Sequence, residues 1–292
     1  MENSRLIQRA RAFDHLFDAV VVTDLQGNII DWNHGSENLY GYSKDEALGQ
    51  PVSILHVPED TDHITSDVMD GVQKTGTWNG EVRMLHKDGH IGWIESMVVP
   101  LFDDDEQMIG ALGINRDISD RIQKEEHLAR LAHYDQLTEL PNRYLLLDRL
   151  KHLIKHAERN KSIFALLYID LDNFKIINDN EGHASGDKVL KEAAQKLTQS
   201  VRESDTVARI GGDEFVVLLE TIKDNKDARK LAKVLGEQLS KPWSINNNNY
   251  TISGSIGIAI YPKDGITTDE LLFYADKAMY QAKNKNKNKS RP

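Results

Sequence analysis

The segment RESDTVARIGGDEFVVLL, residues 202–219, places two adjacent acids, Asp213 and Glu214, between two apolar runs. The Gly-Gly pair before them suits a tight turn that needs positive φ, which predicts a hairpin whose second strand begins at Asp213. A pair of carboxylates beside a core costs free energy unless a metal ion, a base or a substrate meets it. These two acids are therefore the first candidates for chemistry.

A third acid, Asp170, ends the apolar run FALLYID. Alternate residues of this run, including Tyr168, share one side of a predicted strand with Asp170, and the others share the opposite side. If this strand neighbours the hairpin, Asp170 and Asp213 point into one small volume. With the backbone carbonyl of Leu171 they form a hard oxygen site suited to Mg²⁺ and a polyphosphate. Acids after a turn can also be plain solvated groups.

Further polar residues follow Asp170 in DLDNFKIINDNEGHASGD, among them Lys175, Asn178 and Asp187. An amide and a carboxylate together can bind the edge of a guanine, as a purine site requires. The segment GHASGDK is not a P-loop, because it lacks the four-residue gap between its glycines and the Ser/Thr after Lys. Its glycines, at 182 and 186, instead predict a tight start to a helix.

Length and composition limit the class of protein. A chain of 292 residues predicts two domains, and its net charge of −10 excludes general nucleic-acid affinity. The absence of cysteine excludes disulfides, Cys-ligated zinc, thiol catalysis and a cysteinyl-flavin photoreceptor. The apolar runs are too short to span a bilayer, and the start lacks the apolar core of a signal peptide. We expect a soluble, cytoplasmic chain.

Residues 11–117 predict a small domain of short strands and helices. AVVVTDLQGNIIDWN and GEVRMLHKDGHIGWIESMVVP are predicted hairpins, QMIGALGINRDIS is a last strand, and the segments between the hairpins are polar and helical. This order resembles a PAS sensory domain, as do the segments WN…E…GYS.DE..G and the closing RDIS. The resemblance implies a regulatory domain over residues 1–117, an antiparallel sheet with short helices, whose ligand is unknown.

A small metabolite is one expected ligand of this domain, and a plain dimerisation module without ligand is another possibility. Haem and flavin are the two alternatives. Three histidines could favour haem, although the resemblance implies an axial ligand nearer Thr65, and three tryptophans could favour flavin. These residues are His34, His56, His63, Trp32, Trp78 and Trp93.

Residues 118–135 predict a charged linker helix. Its apolar residues Ile118, Ile122, Leu128, Leu131 and Ala132 lie roughly on one stripe. The helix either packs on its own domain or forms a short parallel coiled coil that joins two subunits.

Residues 136–292 predict a second α+β domain with helices on the faces of a central sheet. After the strand ending at Asp170 we expect the helix GDKVLKEAAQKLTQSV, the hairpin, the helix KDARKLAKVLGEQLS, the strand pair YTISGSIGIAIYP and the helix TTDELLFYADKAMYQAK. The low-complexity tail NKNKNKSRP is predicted to be a disordered basic end.

Several long motifs of this domain, in order, resemble the GGDEF family of diguanylate cyclases over residues 133–288. They are YDQLTELPNR, IDLDNFKIINDNEGHASGD, ARIGGDEF and ADKAMYQAKNKNKN, the last with Asn286 where the family has glycine. The resemblance implies a nucleotidyl-cyclase-like fold and a reaction in which two GTP molecules, one per subunit of a homodimer, form cyclic di-GMP and two pyrophosphates. It leaves a catalytically silent module that binds GTP or cyclic di-GMP as the alternative.

The resemblance also implies roles for individual residues. Asp170, the Leu171 carbonyl and Asp213 would hold Mg²⁺ or Mn²⁺, and either Asp213 or Glu214 would act as the base. The remaining contacts to the substrate would come from Lys175, which offsets charge at phosphorus, and from Phe174, Asn178, His183, Asp187, Lys283 and Lys287.

The resemblance assigns Arg202 and Asp205 of RESD to the family's RxxD motif for feedback inhibition by the product. Near a predicted helix end, residues three apart lie on one face. A surface ion pair without function is the plainer interpretation. No phosphodiesterase segment follows the signature in this sequence, so we do not expect a bifunctional enzyme.

Overall fold

A computed structural model describes residues 7–8, 11–246 and 248–289, with side chains described as far as residue 285. The chain divides into two compact units, Met1–His127 and Leu128–Pro292. Both combine antiparallel sheet with helix, so the predicted α+β class is confirmed. None of the described helices has the length and apolar character needed to cross a bilayer.

The first unit is built on a five-stranded antiparallel sheet with the order β2-β1-β5-β4-β3. Its strands are β1 (Ala19–Asp24), β2 (Ile29–Trp32), β3 (Trp78–Leu85), β4 (Ile91–Phe102) and β5 (Met108–Asp117). Between β2 and β3 lie helices α1 (His34–Tyr40), α2 (Lys44–Ala47) and α3 (Thr61–Thr75), with 3₁₀ turns at Val52–Leu55 and Pro58–Asp60. The predicted order of strands and helices is therefore found.

Helix α4 (Ser119–His133) follows β5 and continues into the second unit. It begins where the Asp117 carboxylate accepts the backbone N–H of Ser119 at 2.8 Å. No residue of the helix is buried, and two of its apolar side chains are open to solvent: Leu128 is 62% exposed and Leu131 37%. Its predicted apolar stripe is thus largely uncovered in the single chain.

The second unit has a four-stranded antiparallel sheet with the order β11-β6-β8-β7. Its strands are β6 (Phe164–Leu171), β7 (Thr206–Gly211), β8 (Glu214–Leu219) and β11 (Gly254–Tyr261), and its helices are α5 (Arg143–Asn160), α6 (Phe174–Glu181), α7 (His183–Gln199), α8 (Asn225–Leu239) and α9 (Thr268–Lys289). Strand β6 is buried on both faces: Ala165, Leu167 and Ile169 join one apolar cluster, and Phe164 and Leu166 join the other. The predicted alternation along this strand is confirmed.

The structure of this unit differs from the prediction at three places. The expected strand pair YTISGSIGIAIYP does not pair with itself, because β10 (Asn248–Tyr250) pairs with β9 (Trp243–Ile245) while β11 pairs with β6. Helix α9 continues as far as Lys289, through most of the tail expected to be disordered. Helices α5 and α6 were not predicted at all, although the apolar spacing of RYLLLDRLKHLI is typical of an amphipathic helix.

Candidate active site

The Gly-Gly hairpin turns between β7 and β8 with left-handed backbone. Gly212 has φ +52° and Gly211 has φ +154°, and the strand register shifts between Arg209 and Gly211. Residues that carry a side chain rarely adopt such backbone angles, so glycine is required at both positions of this turn. Asp213 lies in the turn itself, and the second strand begins one residue later than predicted, at Glu214.

The hairpin and β6 are neighbours, which brings the predicted acids together. Asp170 lies directly opposite Glu214 in the antiparallel register, so the two side chains share a face of the sheet. The backbone N–H of Leu171 donates to the carbonyl of Asp213 at 3.2 Å, which fixes the turn beside the end of β6. Three carboxylates therefore meet at one end of the sheet.

These carboxylates have little compensating charge. Lys283, on α9, lies with its Nζ 2.5 Å from Oδ1 of Asp170, and it makes the one salt bridge to the three acids among the described side chains. Burial and the charge of Asp170 raise the pKa of Asp213. Burial also raises the pKa of Glu214, partly offset by a hydrogen bond from Tyr168. An anionic, oxygen-rich cluster of this kind fits a divalent cation such as Mg²⁺.

Arg209 holds the turn from inside β7. Its guanidinium donates twice to the carbonyl of Gly212, at 2.7 and 2.9 Å, and twice to the carboxylate of Asp135, at 2.9 and 3.1 Å. Asp135 also accepts the backbone N–H of Thr138, so it is fixed within the segment that follows α4. Arg209 therefore ties the turn that carries Asp213 to the end of the linker.

Asp172 fixes the other side of the cluster. It is 8% exposed, and its two carboxylate oxygens accept the hydroxyls of Ser253 at 2.7 Å and Ser255 at 2.8 Å. These bonds join the residue after β6 to the start of β11. Asp172, Arg209 and Tyr168 were not identified from the sequence as residues of the site. An arginine inside the apolar run VARIGG was the available signal for Arg209.

The residues expected to bind the guanine of GTP lie on α6 and α7. A side-chain oxygen of Asn178, Oδ1, is buried and has no hydrogen-bond partner among the described residues. It packs against Gly186, where an added Cβ would lie 1.9 Å from that oxygen and 3.2 Å from the ring of Phe174. Gly182 has φ +80° between the two helices, so it allows the tight helix start, whereas Gly186 makes room for Asn178.

The other predicted contacts are more open. Lys175, His183 and Asp187 are solvent-exposed on α6 and α7. Lys287 falls outside the residues whose side chains are described. The buried Oδ1 of Asn178 needs a hydrogen-bond donor, and the exposed Asp187 on the next helix can accept further hydrogen bonds. The two side chains therefore fit a nucleobase that donates hydrogen bonds.

Arg202 and Asp205 lie just after the end of α7, in a turn and not on one face of a helix as predicted. They form a turn after α7 in which the N–H of Arg202 donates to Asp205 Oδ2 at 3.1 Å, and the N–H of Asp205 donates to the Arg202 carbonyl at 3.0 Å. Among the described side chains, the Arg202 guanidinium makes no salt bridge, so the surface ion pair is not formed. Both residues line a groove of about 460 Å³.

The first unit encloses a mainly apolar cavity of about 480 Å³ lined by residues of the sheet, α3 and the 3₁₀ turns, including Trp78, Ser96 and Asn115. Of the three histidines considered for haem, only His56 lines it; its Nδ1 is buried without a partner among the described residues, and burial lowers its pKa. The side chains of His34 and His63 are 67% and 80% exposed.

Comparison with known families agrees with this geometry. The family model described as "Diguanylate cyclase, GGDEF domain" matches residues 132–289, more than half of the chain. The chain belongs to the GGDEF family. A model of the PAS fold matches residues 29–115, so the first unit is a PAS domain and the second a GGDEF domain.

Named relatives share the GGDEF domain. The bifunctional diguanylate cyclase/cyclic di-GMP phosphodiesterase MucR of Pseudomonas aeruginosa is 49% identical over 161 residues, which are 55% of this chain and 23% of MucR. The first curated relatives are much longer, since the chain covers 23% to 38% of their length.

Two solved GGDEF structures are similar to the second unit. The GGDEF domain of PA1120 (TpbB or YfiN) from Pseudomonas aeruginosa is 42% identical with a TM-score of 0.51, covering 52% of this chain and 90% of that one. The coiled coil and GGDEF domain of DgcB from Caulobacter crescentus, in complex with c-di-GMP, is 26% identical with a TM-score of 0.51, covering 56% of this chain and 88% of that one.

Proposed function

We propose that this chain is a divalent-metal-dependent diguanylate cyclase that condenses two GTP molecules into cyclic di-GMP and two pyrophosphates. The observation that carries the proposal is the cluster of Asp170, Asp213 and Glu214 around the glycine turn, with Lys283 as its counter-ion. Membership of the GGDEF family and the named activity of MucR support the same reaction.

In this reaction each ribose 3′-hydroxyl attacks the α-phosphate of the other GTP, and the bond to pyrophosphate breaks. Asp170, Asp213 and the Leu171 carbonyl would hold Mg²⁺ or Mn²⁺, which when bound neutralises charge on the triphosphate. The 3′-hydroxyl proton would pass to Asp213 or Glu214, whose raised pKa values bring them closer to the working pH of a general base.

Two lysines would complete the charge balance in the site. Lys283 would leave Asp170 and bind phosphate oxygens when the nucleotide enters. Although burial lowers the pKa of Lys283, its hydrogen bond and attraction to Asp170 raise it overall, so the ammonium is charged. The exposed Lys175 can swing towards the phosphorus, where negative charge develops.

The alternative is a silent module that binds GTP without turnover. Equilibrium GTP binding and nucleotide turnover, measured on one preparation of the intact chain with Mg²⁺, separate the two functions. The cyclase forms cyclic di-GMP under conditions where GTP is bound. Saturating GTP binding with no product would favour the silent module.

Guanine binding gives a first specific prediction. Gly186→Ala places a methyl group 1.9 Å from Asn178 Oδ1, so Asn178 must move. We expect the KM for GTP to rise about tenfold, the cost of roughly one lost hydrogen bond to the base. The matched control is Gly236→Ala in α8, where the added methyl group meets nothing closer than 4.0 Å. An unchanged KM in Gly186→Ala would contradict a role for Asn178 in binding GTP.

Dimerisation is the second requirement of the proposed reaction, because one active site holds one GTP and the product needs two. We infer that α4 pairs with its copy in a second chain through the exposed Leu128 and Leu131. Leu128→Lys should lower the specific activity at low protein concentration by roughly tenfold or more, with recovery at high concentration. Ile266→Lys, which changes a side chain 61% exposed outside this helix, is the control. Full activity of a strict monomer in light scattering would refute the inference.

We also propose feedback inhibition by cyclic di-GMP in the groove at Arg202 and Asp205. The free guanidinium of Arg202 can bind a phosphate or the Hoogsteen edge of guanine, and Lys223 and Lys230 line the same groove. Arg202→Ala should keep turnover and raise the inhibitory product concentration about tenfold or more, which is about 1.4 kcal/mol. Arg229→Ala, on the same α8 as Lys230, is the control. Undiminished non-competitive inhibition of Arg202→Ala would place the inhibitory site elsewhere.

We infer that the PAS cavity is the sensory site and takes a small, mostly apolar molecule. Its apolar lining favours such a ligand, and the unpaired Nδ1 of His56 offers one hydrogen bond to it. An absorption spectrum of the purified protein separates this ligand class from haem and flavin, which both absorb visible light.

A further inference from the structure

The hairpin between β3 and β4 gathers three side chains that commonly bind metals. Nδ1 of His86 lies 2.8 Å from Oδ1 of Asp88, and Nδ1 of His90 lies 2.7 Å from the same oxygen. The three ligand atoms lie within 4.8 Å of one another, and no other set of three in the described part of the chain meets this condition. This cluster belongs to the PAS domain and takes no part in the proposed cyclase site.

The backbone of the hairpin is well defined and holds the three side chains together. His86 N–H donates to the His90 carbonyl at 3.0 Å, and Gly89 N–H donates to the His86 carbonyl at 2.9 Å. Gly89 has φ +91°, which favours glycine. His90 N–H donates to Asp88 Oδ1 at 3.0 Å, so the carboxylate is fixed inside the turn.

Packing orients the two imidazoles. The Nε2 edge of His86 lies against Gly41, where an added Cβ would be 2.4 Å away, so its Nδ1 is turned towards Asp88. The rings of His86 and His90 stack with centroids 4.3 Å apart. Lys87, the charged neighbour in the turn, is directed away, with its Nζ 2.5 Å from Glu46. The cluster is therefore open to a cation from solvent.

The hydrogen bonds around His86 Nδ1 conflict with one another. This atom lies 3.2 Å from the backbone N–H of Asp88, which requires a lone pair, and 2.8 Å from a carboxylate oxygen, which requires a proton. In the tautomer that accepts the backbone N–H of Asp88, the lone pair of Nδ1 also faces the carboxylate oxygen, and a cation between them would remove the repulsion.

We propose that His86, Asp88 and His90 bind a first-row transition-metal cation, with Zn²⁺ as the best match. Two imidazole nitrogens and one carboxylate oxygen are borderline ligands that suit Zn²⁺, whereas Mg²⁺ prefers oxygen alone. With bonds of about 2.0–2.2 Å in a tetrahedral site, the ligand atoms would lie about 3.3 Å apart. Asp88 and His90 are exposed, so they can open by the required half ångström, and water would take the fourth position.

The site lies close to the N-terminal end of the linker helix α4. Strand β4 begins at Ile91, and two residues later the backbone of Trp93 accepts the N–H of Ile118 at 2.9 Å and donates to the Ser119 hydroxyl at 2.9 Å. A cation on the hairpin would thus lie close to the start of the linker helix.

The test uses the intact chain after removal of metals with a chelator. Zn²⁺ is titrated against a competing chromophoric chelator, and bound Co²⁺ is followed by its visible absorption. We expect one zinc equivalent that excess Mg²⁺ does not displace and a Co²⁺ spectrum with nitrogen ligands. His90→Gln and Asp88→Asn should each weaken this binding roughly tenfold or more, while His63→Gln, another exposed histidine of the same unit, should not change it.

Metal-free melting curves show whether the variants are folded. No zinc binding by the wild-type chain would overturn the proposal. So would zinc binding of equal strength in wild type, His90→Gln and Asp88→Asn, which would place the cation elsewhere, for example at Asp170 and Asp213.

Discussion

Asp213→Asn should reduce formation of cyclic di-GMP by roughly a thousandfold, the upper end of the cost of removing one group that stabilises a transition state. The folded protein should be at least as stable as wild type, because Asp213 is half-buried beside Asp170 without a salt bridge of its own among the described side chains. Its raised pKa means that the ionised carboxylate disfavours the fold. The stability difference should therefore be largest near neutral pH, shrink as the pH falls below the folded pKa of Asp213, and vanish below its unfolded pKa of 3.8, where both states are protonated.

Turnover by nucleotide chromatography and thermal unfolding across pH measure the two effects. Asp179→Asn, which removes a nearby exposed acid on α6, is the matched control and should keep wild-type activity. If Asp213→Asn keeps a tenth or more of the activity, the carboxylate does not act in the reaction. A lower unfolding temperature would instead indicate that Asp213 stabilises the fold.

Arg209→Ala should impair both stability and turnover. The side chain is 12% exposed and Asp135 25%, and the change removes the guanidinium donors from a partly buried carboxylate and from the Gly212 carbonyl. We expect a loss of about 2–3 kcal/mol, or about 5–10 °C in the unfolding temperature of the second unit. Because the turn that carries Asp213 also loses its tie to the linker, we expect turnover to fall by about a hundredfold.

Two variants separate charge from geometry at this position. Arg209→Lys keeps the charge but cannot reach both Gly212 and Asp135 with a fork, so it should recover only part of the activity. Arg149→Ala, which removes a single hydrogen bond to Thr206 at 2.9 Å, should cost about 1 kcal/mol and little turnover. Wild-type turnover in Arg209→Ala would show that the turn keeps its geometry without this contact.

Local patterns in the sequence were sufficient for much of the fold and of the candidate site. The alternation in FALLYID assigned β6 to two apolar clusters, and the glycine pair predicted the turn beside it. Together they predicted that Asp170 and Asp213 lie close together if the two strands are neighbours, which the register of β6 and β8 shows. The PAS sheet was predicted for the same reason, since its hairpins are short-range and carry their own turn signals.

Contacts between distant segments could not be predicted from these patterns. The Arg209–Asp135 bond joins residues 74 positions apart, and the Asp172–Ser255 bond joins residues 83 apart. Strand β11 pairs with β6 and leaves β10 for β9, because pairing depends on which strand edge is free and not on nearness in sequence. The position of His56 in the cavity depends on the path of the 3₁₀ turns, which have no periodic signal.

The measurement that tests the proposed cyclase most directly is a mass balance on the intact chain. Purified protein is incubated with GTP and Mg²⁺ at a concentration above the dimer dissociation constant, and nucleotides and pyrophosphate are quantified together. We expect one cyclic di-GMP and two pyrophosphates for every two GTP consumed, and roughly a thousandfold slower formation of product in Asp213→Asn. Bound but unconverted GTP, or GTP consumed without cyclic di-GMP, would contradict the assignment.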